Sequence, residues 1–349
     1  MEFVPPPTPP PTPHPAGALS RRQTLRLGLG VGLGLGAGAV LAGCQRGQGP
    51  QLLTSEGSMP QAWLKALPAP WESRLLPQPT AVAAATNWGG QTALVQLSDG
   101  WASGLDRSQL QPFGAPQLLA RLSPAAAAVS RLFGPPGSPV VAFPWAFSPW
   151  VIVLRNRPDL AEARNPNWDL LLDPSLRGKV VLPSSPRLSI ELIGAALPEL
   201  RALRRQALAY DDRDGLNLVL SGDAEAAVLP LQRLVPLLRR DSRLQVVLPR
   251  NGAPLNWQLL LRPAGITEPL PLGWLGDALA APLLPTLLGG GWVPPLPSRD
   301  LAPLLKRFPA PLAELLLPAE AVLQRCWSLP PLNSSQQLAL QTLWDAAAP

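Results

Sequence analysis

Two apolar runs, Val140–Phe143 and Trp150–Leu154, sit almost back to back with a joint rich in Pro and Trp between them. Each is short and rich in β-branched or aromatic residues, so each reads as a strand rather than a helix. The pair Asn165-Pro166 then starts a turn, a short helical segment carries Trp168, and a further strand-like run follows Lys179. Strands alternating with short helices at this spacing commit the chain to an α/β architecture. At 349 residues it is long enough to bury a sizeable core and to hold two lobes.

The first 44 residues read as a targeting segment and stay out of the fold. A Pro-rich lead-in over Met1–Gly17 is followed by Ser20-Arg21-Arg22-Gln23-Thr24-Leu25-Arg26, close to the twin-arginine export pattern, with Thr24 where Phe is usual. Leu27–Ala42 is apolar but diluted by Gly, too short and weakly apolar for a comfortable membrane span. Leu41-Ala42-Gly43-Cys44 resembles a lipobox, which makes Cys44 the expected lipidation site. An uncleaved anchor helix is the alternative. A lipidated Cys44 would hold the protein to a membrane surface.

Removing this segment takes away His14, the one histidine of the chain, and leaves Cys326 as the one unmodified thiol. An internal disulfide is then excluded, as are histidine-based catalytic triads and His- or thiolate-based metal sites. Net charge falls from +6 to about +4 once Arg21, Arg22, Arg26 and Glu2 leave. That excess is spread along the chain and forms no clustered stripe, so no nucleic-acid partner is expected. No nucleotide-cradling Gly-rich loop occurs, and no cofactor is expected.

In chain order, Gln51–Thr54 reads as a strand, Ser55–Pro60 as a polar loop and Pro60–Leu67 as a helix. Strand, polar loop and helix N-terminus form the usual ligand-facing edge of an α/β lobe, which points to Ser55 and Glu56. An ordinary βα loop is the alternative. Ala93–Leu97 is a strand ending in Ser98-Asp99-Gly100-Trp101-Ala102, with a helical stretch near Leu105–Leu110. Pro116–Phe133 is helical and divided at Pro124. Val180–Leu182 is a strand, Pro183–Arg187 a loop, Leu188–Leu197 a helix, and Leu200–Ala209 an amphipathic helix with a basic face. Tyr210–Asp214 is a charged turn. Leu216–Leu220 is a helix leading to an apolar strand, and Leu244–Leu248 and Leu255–Leu261 are strands. The remainder is Pro- and Leu-rich with helical pieces, the last at Gln336–Ala346.

The segment NWDLLLDPSLRGKVVLP, Asn167 to Pro183, resembles the crossover region of bacterial periplasmic solute-binding proteins of the spermidine/putrescine type, components of ABC importers. The order Ser98-Asp99-Gly100-Trp101-Ala102 and the pair Trp257-Gln258 are similar to cleft elements of the same family. The resemblance implies a two-lobed type II periplasmic-binding-protein fold with a hinge near 144–150 and 254–258. It implies signal and tether over 1–49, first lobe over 50–147, second lobe over 148–255, and return to the first lobe with C-terminal helices over 256–349. Those helices would pack against the first lobe.

The resemblance also implies a ligand site between the lobes, and no catalytic residues. Ser55, Glu56, Asp99, Ser184, Ser185, Arg187 and Gln258 are its polar candidates, and Trp145, Trp150 and Trp257 its aromatic walls. Trp101 is either a wall or core packing. Tryptophan faces suit an ammonium, at about 0.5–2 kcal/mol each. Two positions depart from the polyamine pattern, because Ser184-Ser185 and Leu259 stand where acids are usual. A multiply charged solute desolvated without counter-charge is costly, so a monovalent amine or a zwitterion between Arg187 and Glu56 or Asp99 fits better. The expected role is that of a periplasmic, lipid-anchored importer component that hands a small amine or polyamine-like solute to ABC permease subunits. A non-transport sensor or scaffold with a degenerate cleft is the alternative.

Overall fold

The computed structural model describes residues 49–84, 88 and 90–349, so the export motif, Cys44 and most of the turn at 86–89 lie outside the described residues. Among the described residues no helix is long and apolar enough to cross a membrane. Among the described residues nine strands form one sheet: β1 (Gln51–Ser55), β2 (Glu72–Leu76), β3 (Thr92–Ser98), β4 (Ala142–Arg155), β5 (Val180–Leu182), β6 (Ala207–Tyr210), β7 (Ala226–Pro230), β8 (Leu244–Val247) and β9 (Leu255–Leu261). Their order is β2-β1-β3-β9-β4-β7-β5-β6, with β8 beside β4.

Pairing divides this path into two halves. β1 lies parallel to β2 and β3, and β9 runs antiparallel between β3 and β4. In the second half β5 lies parallel to β6 and β7, while β7 and β8 run antiparallel to the end of β4. The mix of parallel strands and antiparallel crossing strands, with helices between, is the α/β arrangement expected.

β4 joins the halves. The sequence suggested two strands and a joint, but Ala142–Arg155 is one continuous strand. Its first part pairs with β9 and its second with β7 and β8. The joint vanishes because its prolines sit where no ladder donor is needed. Pro144 falls at a bulge in the pairing with β9, which absorbs an unpairable residue. Directly beyond Pro149, the Trp150 N–H donates to the Pro254 carbonyl at 2.9 Å and carries the strand onward.

The segment around Trp168 builds the entry to β5. Trp168 is buried, and its Nε1 donates to the Gly252 carbonyl at 3.0 Å. Leu171 and Leu176 complete a small core with Ile152, Leu154 and Val180. Gly178 then turns with a φ of +70°, a conformation costly for residues with a Cβ. That turn aims the Lys179 carbonyl at the N–H groups of Glu225 and Ala226, at 3.0 and 3.2 Å, where β7 begins. The Glu225 carboxylate holds both Lys179 and Arg157, at 2.5 and 2.9 Å, and Arg157 also grips Asp159 at 2.8 Å. Those bonds keep the Glu225 carboxyl below its ordinary pKa, the Lys179 bond most of all. Glu225→Gln is expected to lower stability by about 1 kcal/mol, since partly exposed pairs contribute little individually and a network somewhat more. Urea unfolding at low and at 1 M salt checks this, with most of the difference gone at high salt.

Three local expectations change. β6 begins directly after the helix Leu197–Gln206, so the helix expected to reach Ala209 stops earlier. The run Ala207–Tyr210 alternates half-buried and exposed residues, which suits a strand beside β5. The helix expected over Leu188–Leu197 spans Pro186–Ile193 and ends at Gly194, whose φ is +90°. β2 had no sequence signal, because it is an exposed edge strand with no buried residue.

The C-terminal helices do not all pack on the first half. Leu301, Leu305, Leu312 and Leu316 join the large core cluster. The last helix, Ser334–Ala346, instead lies against the helices Pro186–Ile193 and Leu197–Gln206 of the second half. Its Trp344 packs with Ile190 and Leu200, and the Arg204 guanidinium sits 4.6 Å from the Trp344 ring. Arg201 ties the end of the helix through the Ala346 carbonyl at 3.0 Å. An Asn333/Gln336 capping box starts the helix.

Candidate functional site

β3 runs straight into the four-residue helix Asp99–Ala102, so Asp99 stands at a strand end with no intervening loop. It is 5% exposed, and its Oδ1 accepts the Trp257 N–H of β9 at 3.2 Å. The carboxyl is therefore attached to one of the two strands that join the halves. Burial pushes its pKa up to about 7, against the pull of backbone donors and of the Arg187 charge.

A cleft of about 700 Å³ opens over Asp99 and Trp101. Its far wall carries Ser184, Ser185 and Arg187 from the loop after β5, and Gln337 and Gln341 from the C-terminal helix. A recess of about 240 Å³ adjoins it, lined by Ser55, Gln96, Gln232, Arg233 and Gln258. The two compartments share Ser98, Trp101, Trp150, Asp212 and Asn256 as their partition.

The structure brings most of the sequence candidates together. Ser55 reaches the recess and hydrogen-bonds Ser58. Ser184 donates its N–H to Asp212 Oδ1 at 3.1 Å and bonds the other carboxylate oxygen through its hydroxyl. Ser185 precedes the helix that carries Arg187. Arg187 lies 3.7 Å from Glu191, and its Nε makes no hydrogen bond. Trp101 is 43% exposed and lines both compartments, so it is not core packing. Gln258 is buried against Gln96 and edges the recess.

Three candidates fall away. Glu56 is exposed at the end of β1, where its N–H donates to Leu76, and it lines neither compartment. Trp145 is fully buried, its ring 5.0 Å from Trp63 and 5.1 Å from Trp292. Trp257 is fully buried too, 5.2 Å from Phe147, with Nε1 donating to Ser328 Oγ at 2.8 Å. Strand phase is the reason: alternate residues of β9 point to opposite faces, and Asn256 and Gln258 take the cleft side. Trp145 meets the core rings beside the β4 bulge.

Asp212 and Arg233 were not anticipated. β5 and β6 are parallel neighbours, with Leu182 opposite Tyr210, so the loops that follow them lie side by side. The alternation of Ala207–Tyr210 was the signal that would have placed Asp212 at a strand end. Arg233 is held by the backbone carbonyls of Asp212 and Arg213, the latter at 2.6 Å. Burial pulls its pKa down, and the Asp212 charge opposes that.

Among the described residues no three His, Cys, Asp or Glu side chains are grouped to hold a metal. Cys326 is half-buried and its Sγ–H donates to Val322 at 3.5 Å. Burial raises the pKa of this thiol, and it lines neither compartment.

No family model and no curated protein matches the sequence. Solved structures do. The spermidine/putrescine ABC transporter substrate-binding protein PotD from Streptococcus pneumoniae superposes with a TM-score of 0.65 at 12% identity, over 86% of this chain and 98% of that one. A GABA receptor aligns at 0.55 and 12% identity over 86% and 98%. Thiaminase I from Bacillus thiaminolyticus aligns at 0.60 and 11% identity over 86% and 99%, so this architecture supports catalysis as well as binding. At these identities the likeness speaks for the fold alone: the chain has the type II periplasmic-binding-protein fold.

Proposed function

We propose that the protein is an extracytoplasmic solute-binding component of an ABC importer, exported by the twin-arginine route, lipidated at Cys44, and closing two lobes on a small solute that carries one ammonium. The observation that carries this reading is the cleft itself. A nine-tenths buried carboxyl, Asp99, stands below two tryptophans on the partition, and Arg187 faces it from the other half of the sheet path. A carboxyl at the floor and aromatic faces beside it suit an ammonium, and Arg187 suits the carboxylate of a zwitterion. The strands β4 and β9 joining the halves support lobes that rock about residues 144–150 and 254–258. Spermidine/putrescine-binding and GABA-binding neighbours support an amine-bearing solute. The charged and aromatic lining favours a working cleft over a scaffold.

Calorimetry with monovalent amines, amino acids and polyamines tests the proposal. A solute at a hundred times its Kd should stabilise the protein by about 2.7 kcal/mol. Affinity for an ammonium should depend on pH through Asp99. The proton on Asp99 must leave for the carboxylate to face a cation, so below pH 7 affinity should weaken about tenfold per pH unit. Above pH 7 it should level off. Asp212, the other acid of the cleft, is bonded by the Ser184 N–H and hydroxyl. No stabilisation by any amine or zwitterion would sink the reading.

A further inference from the structure

The recess beyond Trp101 and Trp150 differs in chemistry from the Asp99 compartment. The Gln258 carboxamide edges it, on a residue only 5% exposed. A buried relay orients it. The Thr54 hydroxyl donates to Gln96 Oε1 at 2.8 Å, and Gln96 Nε2 donates to Gln258 Oε1 at 2.7 Å. Thr54 and Gln96 are 0% and 1% exposed. The relay uses the Gln258 carbonyl, and its Nε2 makes no hydrogen bond to another described residue. Gln232 lines the same recess, and its Oε1 is likewise unpartnered. The Gln258 Nε2 is not sealed from solvent and stands ready to donate to a group entering the recess, while the buried Gln232 Oε1 carries the cost of going unbonded.

The charges around the recess discourage an ion there. Arg233 spends Nη1 and Nη2 on the carbonyls of Asp212 and Arg213. Asp212 sits on the partition, occupied by Ser184 and facing the Arg233 charge. Among the described lining residues of the recess, Asp212 is the one acid and Arg233 the one base. An ammonium entering it would shed water without an unshared carboxylate. A carboxylate would meet Asp212 and could donate nothing to Gln232. A methyl group would strand the Gln258 amide.

Resting on the solute-binding reading above, we propose that this recess is a subsite for a neutral end that both accepts and donates hydrogen bonds, a carboxamide or ureido group. The ammonium of the same solute lies in the Asp99 compartment. The protein then selects ω-amino amides over diamines, which is a different substrate class from polyamines. The selection lies in Gln258, held from behind by Gln96 and Thr54.

Calorimetric titration of the full chain with four probes of similar length tests this: 5-aminopentanamide, cadaverine, 5-aminopentanoate and hexylamine. The amide should bind roughly tenfold more tightly than each of the other three, the order of one or two satisfied buried hydrogen bonds. Gln258→Glu should reverse the preference toward cadaverine. Cadaverine, the amino acid or hexylamine equalling or exceeding the amide in the unaltered protein would overturn the subsite while leaving amine binding intact. Binding by none of the four would overturn the subsite, and no stabilisation by the wider panel of amines and zwitterions would overturn the solute-binding reading as well. The unaltered protein decides the matter even if Gln258→Glu fails to fold.

Discussion

Asp99→Asn should make the empty protein more stable at pH 8 and abolish its binding of an ammonium. In the folded state burial holds the Asp99 carboxyl near pH 7, far above its ordinary value of 3.8. The unfolded chain thus loses this proton first as pH rises, and the folded state binds more protons between pH 4 and 7. Stability contributed by the group is fully present below pH 4 and is lost as pH climbs to 7. The full shift corresponds to roughly 4 kcal/mol as an upper bound. Asparagine is neutral throughout and its carbonyl can still accept the Trp257 N–H. Urea unfolding at pH 5 and pH 8 should show the unaltered protein weakening between the two and the variant nearly level. The carboxyls of Asp241, Asp159, Asp173, Asp211 and Glu225 are shifted the other way, and their stabilisation is lost as pH falls below about 4. They leave the window between 5 and 8 to Asp99. Equal loss of stability in the variant across that window would refute the assignment.

Trp257→Ala should cost about 3–5 kcal/mol, the range for emptying a large aromatic site in a packed interior. The ring is fully buried on β9, against Phe147, and its Nε1 bond to Ser328 ties that strand to the segment leading to the C-terminal helix. The variant loses packing at the crossing strand and leaves Ser328 without its partner. Trp257→Phe should recover much of the packing but not the hydrogen bond, giving an intermediate urea midpoint. Because the ring does not reach the cleft, Trp257→Phe should bind amines with nearly unchanged affinity at a temperature where it is folded. A large loss of affinity with little loss of stability would mean that the ring faces the ligand after all.

The contrast between Asp99 and Trp257 shows what was legible in the sequence. Asp99 could be found because it ends an apolar strand and opens a helix, a local pattern that survives in three dimensions. The run from Trp168 to Leu182 was legible for the same reason: the caps, the Gly178 turn and the strand act within a few residues of one another. Trp257 was misplaced because its face depends on strand phase, which residue type alone does not give. The alternation in Leu255-Asn256-Trp257-Gln258-Leu259 held that information, with the two amides marking the wet side. Asp212 was missed because its place depends on β6, a four-residue edge strand whose partner is 27 residues earlier in the register of Val180 with Ala207. The continuous β4 was misread because prolines usually end a strand, and their tolerance at a bulge depends on what the partner strand does. The seating of the last helix on Ile190 and Leu200 is a long-range contact without a local signature.

The distribution of tryptophans also gives the molecule two separate optical signals. Trp63, Trp145, Trp168 and Trp257 are sealed in the interior, whereas Trp101 and Trp150 border the cleft. Trp292 and Trp327 are half-buried but line neither compartment, so a change of intrinsic emission when a solute is added to the folded protein is expected chiefly from the two border rings. A red shift of the sealed ones reports loss of the fold. Occupancy and unfolding should thus give different changes of emission, read without a label.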